Sequence, residues 1–238
     1  MRKIIASHLT DVIFDSAALG GTAVVSHPLA HPGEWQALLS LPHARLPAQT
    51  VLVRREGSGA MAAIEPDGEI EHRLIQGGQV RLRAPDHFGF AVRLRSVGAD
   101  APEWDSRRLQ KGDYFACLPL RPGSYRLANL LNQANAEVVI HYPDPRTRDP
   151  APAMEPVRVR AGEQFSSARV GLFPGQPLIV AIDAPAHLTL VLETPDDGPS
   201  DLAAWRERRD FEALAALGRK KTAPPVHQDN QQGRGKKK

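Results

Sequence analysis

Prolines and glycines punctuate this chain so densely, 21 and 19 of them in 238 residues, that long regular helices have little room. Proline breaks helices and ladders alike by removing a backbone donor, and glycine relaxes turn geometry. Between these breaks the residues alternate. Gly78-Gln79-Val80-Arg81-Leu82-Arg83 and Ala91-Val92-Arg93-Leu94-Arg95 set apolar and basic residues in turn, as a strand with one wet face requires. Further strands are expected at Thr50–Arg54, Tyr114–Leu118, Ser124–Leu127, Glu137–Tyr142, Val157–Arg160, Leu178–Ile182 and Leu188–Glu193. Glu65-Pro66-Asp67-Gly68-Glu69 and Arg121-Pro122-Gly123 supply turn chemistry between them. The implied fold class is mainly β: one or more antiparallel β-sandwiches, with a short C-terminal helix and a disordered basic tail.

The expected organisation has six parts. Residues 1–48 read as an irregular N-terminal segment, with Lys3-Ile4-Ile5 and Thr22-Ala23-Val24-Val25-Ser26 each offering a short strand and Glu34 to Leu41 forming one or two helical turns after the Pro32-Gly33 break. A β-sandwich domain spans 49–143, a proline-rich linker 144–156, and a second β unit packing on the first 157–198. A helix follows over 199–218, capped by Ser200 and Asp201, with Leu202, Trp205, Phe211, Leu214 and Leu217 on one face and Gly218 as its stop. Residues 219–238 form the tail. One internal echo recurs along the chain: Gly78-Gln79 with Ala84-Pro85-Asp86-His87, and Gly175-Gln176 with Ala184-Pro185-Ala186-His187, each followed by an apolar strand, which reads either as a duplicated β unit or as two hairpins with similar turns.

The strands flanking Ala84-Pro85-Asp86-His87, and the strand Lys111-Gly112-Asp113-Tyr114-Phe115-Ala116-Cys117, make the stretch from about 50 to 143 resemble a cupredoxin-type β-sandwich in outline. That resemblance implies the fold and a place for copper-binding histidine and cysteine at His87 and Cys117. Copper chemistry needs two imidazoles, a thiolate and usually a thioether. Leu118-Pro119-Leu120-Arg121-Pro122-Gly123, after the cysteine, holds neither His nor Met, so the ligand set does not carry over and no cofactor is expected.

Cys117, the single cysteine, excludes an intramolecular disulfide and a cysteine-rich zinc site, and its apolar neighbours read as a buried strand. Serine-hydrolase, phosphate-loop and dinucleotide signatures are missing, and Asp105, Asp113 and Glu137 are acids with no partner visible in the sequence. No catalytic residue is therefore expected. Three functions remain. The first is a non-enzymatic structural or accessory subunit of a larger protein assembly, with Trp205, Phe211 and the tail residues Lys236, Lys237 and Lys238 as partner contacts. The second is a copper- or zinc-binding β-protein using His27, His31 and His87. The third is weak nucleic-acid association through the basic tail alone. The formal net charge of +3 is concentrated in that tail. His8 and Asp11 interrupt the first apolar run, and no run approaches a membrane span, so the expected location is cytoplasmic.

Overall fold

The computed structural model describes residues 13–98, 103–141 and 155–196, all within one compact unit that ends at Asp197. The first half holds β1 (Ile13–Asp15), β2 (Val24–Pro28), β3 (Gly33–Leu41), β4 (Ala44–Arg45), β5 (Gln49–Arg54), β6 (Met61–Ile64), β7 (Glu71–Ile75), β8 (Gln79–Arg83) and β9 (Ala91–Val97). The second holds β10 (Trp104–Asp105), β11 (Tyr114–Cys117), β12 (Gly123–Asn129), β13 (Ala134–Ile140), β14 (Val157–Ala161), β15 (Arg169–Leu172), β16 (Leu178–Ile182) and β17 (Leu188–Pro195). They form three sheets. A shared sheet runs β14-β16-β11-β2-β8-β6, and two flanking sheets run β10-β9-β3-β5-β7, with β4 added to β3, and β1-β17-β12-β13-β15.

These orders are related by an internal two-fold. Exchanging β1 with β10, β2 with β11, β3 with β12, and so on along the chain turns one flanking sheet into the other and reads the shared sheet backwards. The axis passes through the shared sheet where Val25 of β2 faces Phe115 of β11. Only β4 lacks a counterpart. The halves also exchange a strand: β1 pairs with β17 of the second half, and β10 with β9 of the first.

Side chains repeat the symmetry. Phe14-Asp15-Ser16 opens one half and Trp104-Asp105-Ser106 the other. Asp15 and Asp105 each cap the amide two residues on, at 2.7 and 3.0 Å. Ser16 and Ser106, fully buried, each accept from a backbone amide of the exchanged half, Leu188 and Val92. Trp35 and Tyr125 each donate their polar tip to the carbonyl four residues earlier, His31 and Arg121, so a large ring is buried without stranding a donor.

Within each half the chain winds rather than meanders. From β5 to β8 it crosses between a flanking sheet and the shared sheet at every step, so β5 lies parallel to β7 and β6 parallel to β8. β13 to β16 repeat this coil with parallel pairs β13·β15 and β14·β16. Parallel strands need a crossover, and here the crossover is a strand of the opposite sheet, as in a β-solenoid. Inward residues of all three sheets merge into one apolar core.

This corrects the expected fold class: the molecule is all-β over the described residues, but its three mixed sheets with parallel coils replace an antiparallel sandwich. No helix occurs among the described residues, and the helix and tail expected beyond 198 lie outside them. Residues 13–48, expected to be irregular apart from a short strand at Thr22–Ser26 that β2 overlaps, supply β1–β4 to all three sheets. The apolar run after Pro32-Gly33 is β3, not helical turns, because Trp35, Ala37 and Leu39 point inward while Gln36 and Leu38 do not; a period of two overrides the local helix signal. Strands β15, β16 and β17 pair with β13, β11 and β12, and β14 joins through β16; the expected linker falls between β13 and β14, where the first half has only residues 55–60 between β5 and β6.

Burial pushes the Tyr125 phenol up from its ordinary value of 10 to about 12. The folded state therefore holds its proton at pH values where the unfolded chain releases it. Stability contributed this way is complete below pH 10 and is lost as pH rises through about 12. Urea titrations from pH 9 upward are expected to show this fall in the wild type and its loss in Tyr125→Phe; parallel curves would contradict the assignment.

Candidate functional site

The most chemically dense cluster lies where the halves meet. β2 and β11 run antiparallel, and carrying their register one residue past Tyr114↔Ser26 sets His27 against Asp113. Asp113 is fully buried. Its Oδ1 accepts from His27 Nδ1 at 2.7 Å, and its Oδ2 from Trp104 Nε1 at 2.9 Å and from the Gln110 amide at 2.7 Å. The His27 ring stacks on the Trp104 indole with centroids 4.4 Å apart. The carboxylate thus has three donors and no solvent, and its partner imidazole is held in one tautomer and one orientation.

The two-fold supplies an internal comparison. The positions equivalent to His27, Asp113 and Trp104 are Cys117, Ala23 and Phe14, all buried and apolar. The fold can therefore close this seam without polar groups, and only one of the two seams carries them. Burial also raises the Cys117 thiol far above its usual range, which removes the thiolate needed for nucleophilic chemistry. A thiol reagent such as DTNB is expected to label the chain only after denaturation; fast labelling of native protein would contradict this burial.

The other histidines are dispersed. His31 is exposed in the β2–β3 connection, and its carbonyl accepts from Trp35 Nε1. His87 pairs with the exposed Asp67 at 2.8 Å, and His187 with Asp15 at 2.8 Å. His27, His31 and His87 are not brought together: among the described residues no group of three His, Cys, Asp or Glu side chains is placed to hold a metal ion. Trp205, Phe211, Lys236, Lys237 and Lys238 lie outside the described residues. No helix among the described residues is long and apolar enough to cross a membrane.

No family model, curated protein or solved structure matches this chain.

A second feature faces outward. On the outer side of the shared sheet, two rows of side chains cross the two-fold. One runs Arg158, Ile179, Ala116, Val24, Arg83 across β14, β16, β11, β2 and β8. The other runs Arg160, Ala181, Tyr114, Ser26, Arg81 across the same strands. Small and apolar residues fill the middle and arginines stand at both ends. A groove of about 370 Å³ follows this middle, lined by Val24, Ser26, Gln79, Arg81, Tyr114, Ala116, Arg158 and Ile179. The four arginines differ. Arg160 grips Asp183 through two nitrogens, at 2.7 and 2.9 Å, which holds that carboxyl below its usual range, and Arg83 is paired with Glu65. Arg81 and Arg158 have no acidic partner among the described residues.

Neither feature stands out in the sequence. The alternations Val80-Arg81-Leu82-Arg83 and Val157-Arg158-Val159-Arg160 are visible there as wet-faced strands; that they flank one face depends on β16, β11 and β2 lying between them.

Proposed function

We propose that the chain is a non-enzymatic accessory subunit that docks onto another protein through the outer face of its shared sheet. The observation that carries this reading is the composition of that face. Tyr114 is exposed, Val24, Ala116, Ile179 and Ala181 are half-buried, and arginines bound the strip on both sides. An apolar centre with a polar rim, rich in Tyr and Arg, is the anatomy of protein–protein interfaces. The face spans six strands, which at about 4.8 Å per strand is about 24 Å across, a width suited to a standard interface patch.

The test is affinity purification from the source organism followed by native mass spectrometry, with wild type beside Ile179→Asp. A stoichiometric partner kept by the wild type and lost by Ile179→Asp is the expected result. A wild-type chain that purifies alone as a monomer, or a partner held equally by both proteins, would overturn the reading.

A further inference from the structure

We infer that the shared-sheet face takes an extended acidic segment of its partner, with carboxylates seated on Arg81 and Arg158 and apolar residues lying between them over Ile179 and Tyr114. This rests on the docking reading above and adds the chemistry of what docks. The starting point is the difference among the four arginines. Glu65 and Asp183 neutralise Arg83 and Arg160 from within the chain, whereas Arg81 and Arg158 line the same groove without a counter-charge among the described residues. An intrinsic acid could have been supplied to each, as the neighbouring positions show. Two guanidinium forks left open toward one groove are matched by carboxylates, which they hold in bidentate pairs.

The spacing sets the length of the segment. Arg158 stands on β14 and Arg81 on β8, with β16, β11 and β2 between, about 19 Å apart at the level of the backbone. An extended chain rising about 3.3 Å per residue covers that in about six residues, fewer once the arginine side chains lean inward. The groove floor between them offers Val24, Ala116 and Ile179 to apolar side chains, and Tyr114 a ring to pack against.

Two other occupants fit less well. A second copy of this chain would set arginines against arginines. A nucleic acid gains affinity from each phosphate neutralised, and only two of these four arginines are open, while one tyrosine is no stacking platform for successive bases.

The experiment uses the full chain and fluorescence anisotropy with a labelled synthetic peptide in which pairs of glutamates flank Leu-Val-Leu. Saturable binding that weakens with salt is expected, with affinity falling about tenfold or more in Arg81→Ala and again in Arg158→Ala. Arg169→Ala, on β15 in a flanking sheet and paired with Glu137, is expected to bind as the wild type does. Both test positions are exposed, and circular dichroism checks that the variants are folded. Absence of peptide binding, binding by Arg81→Ala and Arg158→Ala as tight as by the wild type, or displacement of the peptide by duplex DNA at lower concentration than by unlabelled peptide would each overturn the inference. Its failure is separable from that of the docking reading. A natural partner lost by Ile179→Asp but kept at full affinity by both arginine variants defeats the acidic segment alone, whereas a chain without any partner defeats the docking reading.

Discussion

Asp113→Ala is expected to destabilise the protein by about 3–5 kcal/mol, a large part of the about 5–15 kcal/mol that holds a typical domain folded. The reason is the set of groups left behind. His27 Nδ1, Trp104 Nε1 and the Gln110 amide all donate to this one carboxylate, and each buried donor stranded without an acceptor costs about 1–3 kcal/mol. Urea denaturation followed by tryptophan fluorescence measures the loss, and a change below about 1 kcal/mol would show that the three donors find other partners. The two-fold then offers a repair. Cys117, Ala23 and Phe14 occupy the equivalent places in the other half, so the triple change His27→Cys, Asp113→Ala, Trp104→Phe copies a solution the fold already uses. Replacing a buried polar set by apolar groups is often neutral, and the triple variant is expected to recover at least half of what Asp113→Ala loses.

That comparison also shows where the sequence was readable and where it was not. Alternating or β-branched apolar runs marked nine of the thirteen strands from β5 onward, because one face of each is buried and the other wet; β6, β7, β10 and β15, of five residues or fewer, went unmarked. It could not mark which strands are neighbours or whether they run parallel, since the coil depends on contacts between segments distant in the chain. The repeat was legible only at one end. The Ala-Pro-x-His echo does select equivalent connections from the shared sheet to a flanking sheet, β8 to β9 and β16 to β17, yet its histidines are not equivalent: residues 84–90 join the first pair and only 183–187 the second, so His87 meets Asp67 while His187 meets Asp15. The stronger signal was Phe14-Asp15-Ser16 with Pro32-Gly33-Glu34-Trp35, against Trp104-Asp105-Ser106 with Pro122-Gly123-Ser124-Tyr125. It is obscured because identity survives at caps and turns, where the backbone demands a residue type, while the core positions keep only size and polarity. The cluster itself was hidden for a further reason. His27 was visible as a histidine and Asp113 as a solitary acid, and only the antiparallel meeting of β2 and β11 makes them partners.

The two-fold also isolates a backbone effect at Gly33 and Gly123, the equivalent first residues of β3 and β12. Both hold positive φ, +136° and +143°, in a region that a side chain makes costly, so alanine at either place is strained by about 1–3 kcal/mol. The surroundings differ. A Cβ on Gly33 meets nothing within 4 Å, whereas a Cβ on Gly123 runs into the Thr194 carbonyl and comes within 2.8 Å of Leu192 Cδ1 and 3.0 Å of Pro195 Cα. The cause is strand length and a register shift: β17 runs on through a bulge opposite Ser124 and Tyr125 to pair Pro195 with Gly123, while β9 ends at Val97, opposite Glu34. Gly33→Ala is therefore expected to cost only its backbone strain, and Gly123→Ala about 4 kcal/mol or more, because β17 must move away from β12 or the bulge must reorganise. Chemical denaturation of the two variants side by side decides the matter. Equal losses would mean that φ alone governs both positions and that the end of β17 yields freely; a Gly123→Ala loss exceeding the other by at least about 2 kcal/mol would show that the bulged extension of β17 is held firmly against β12.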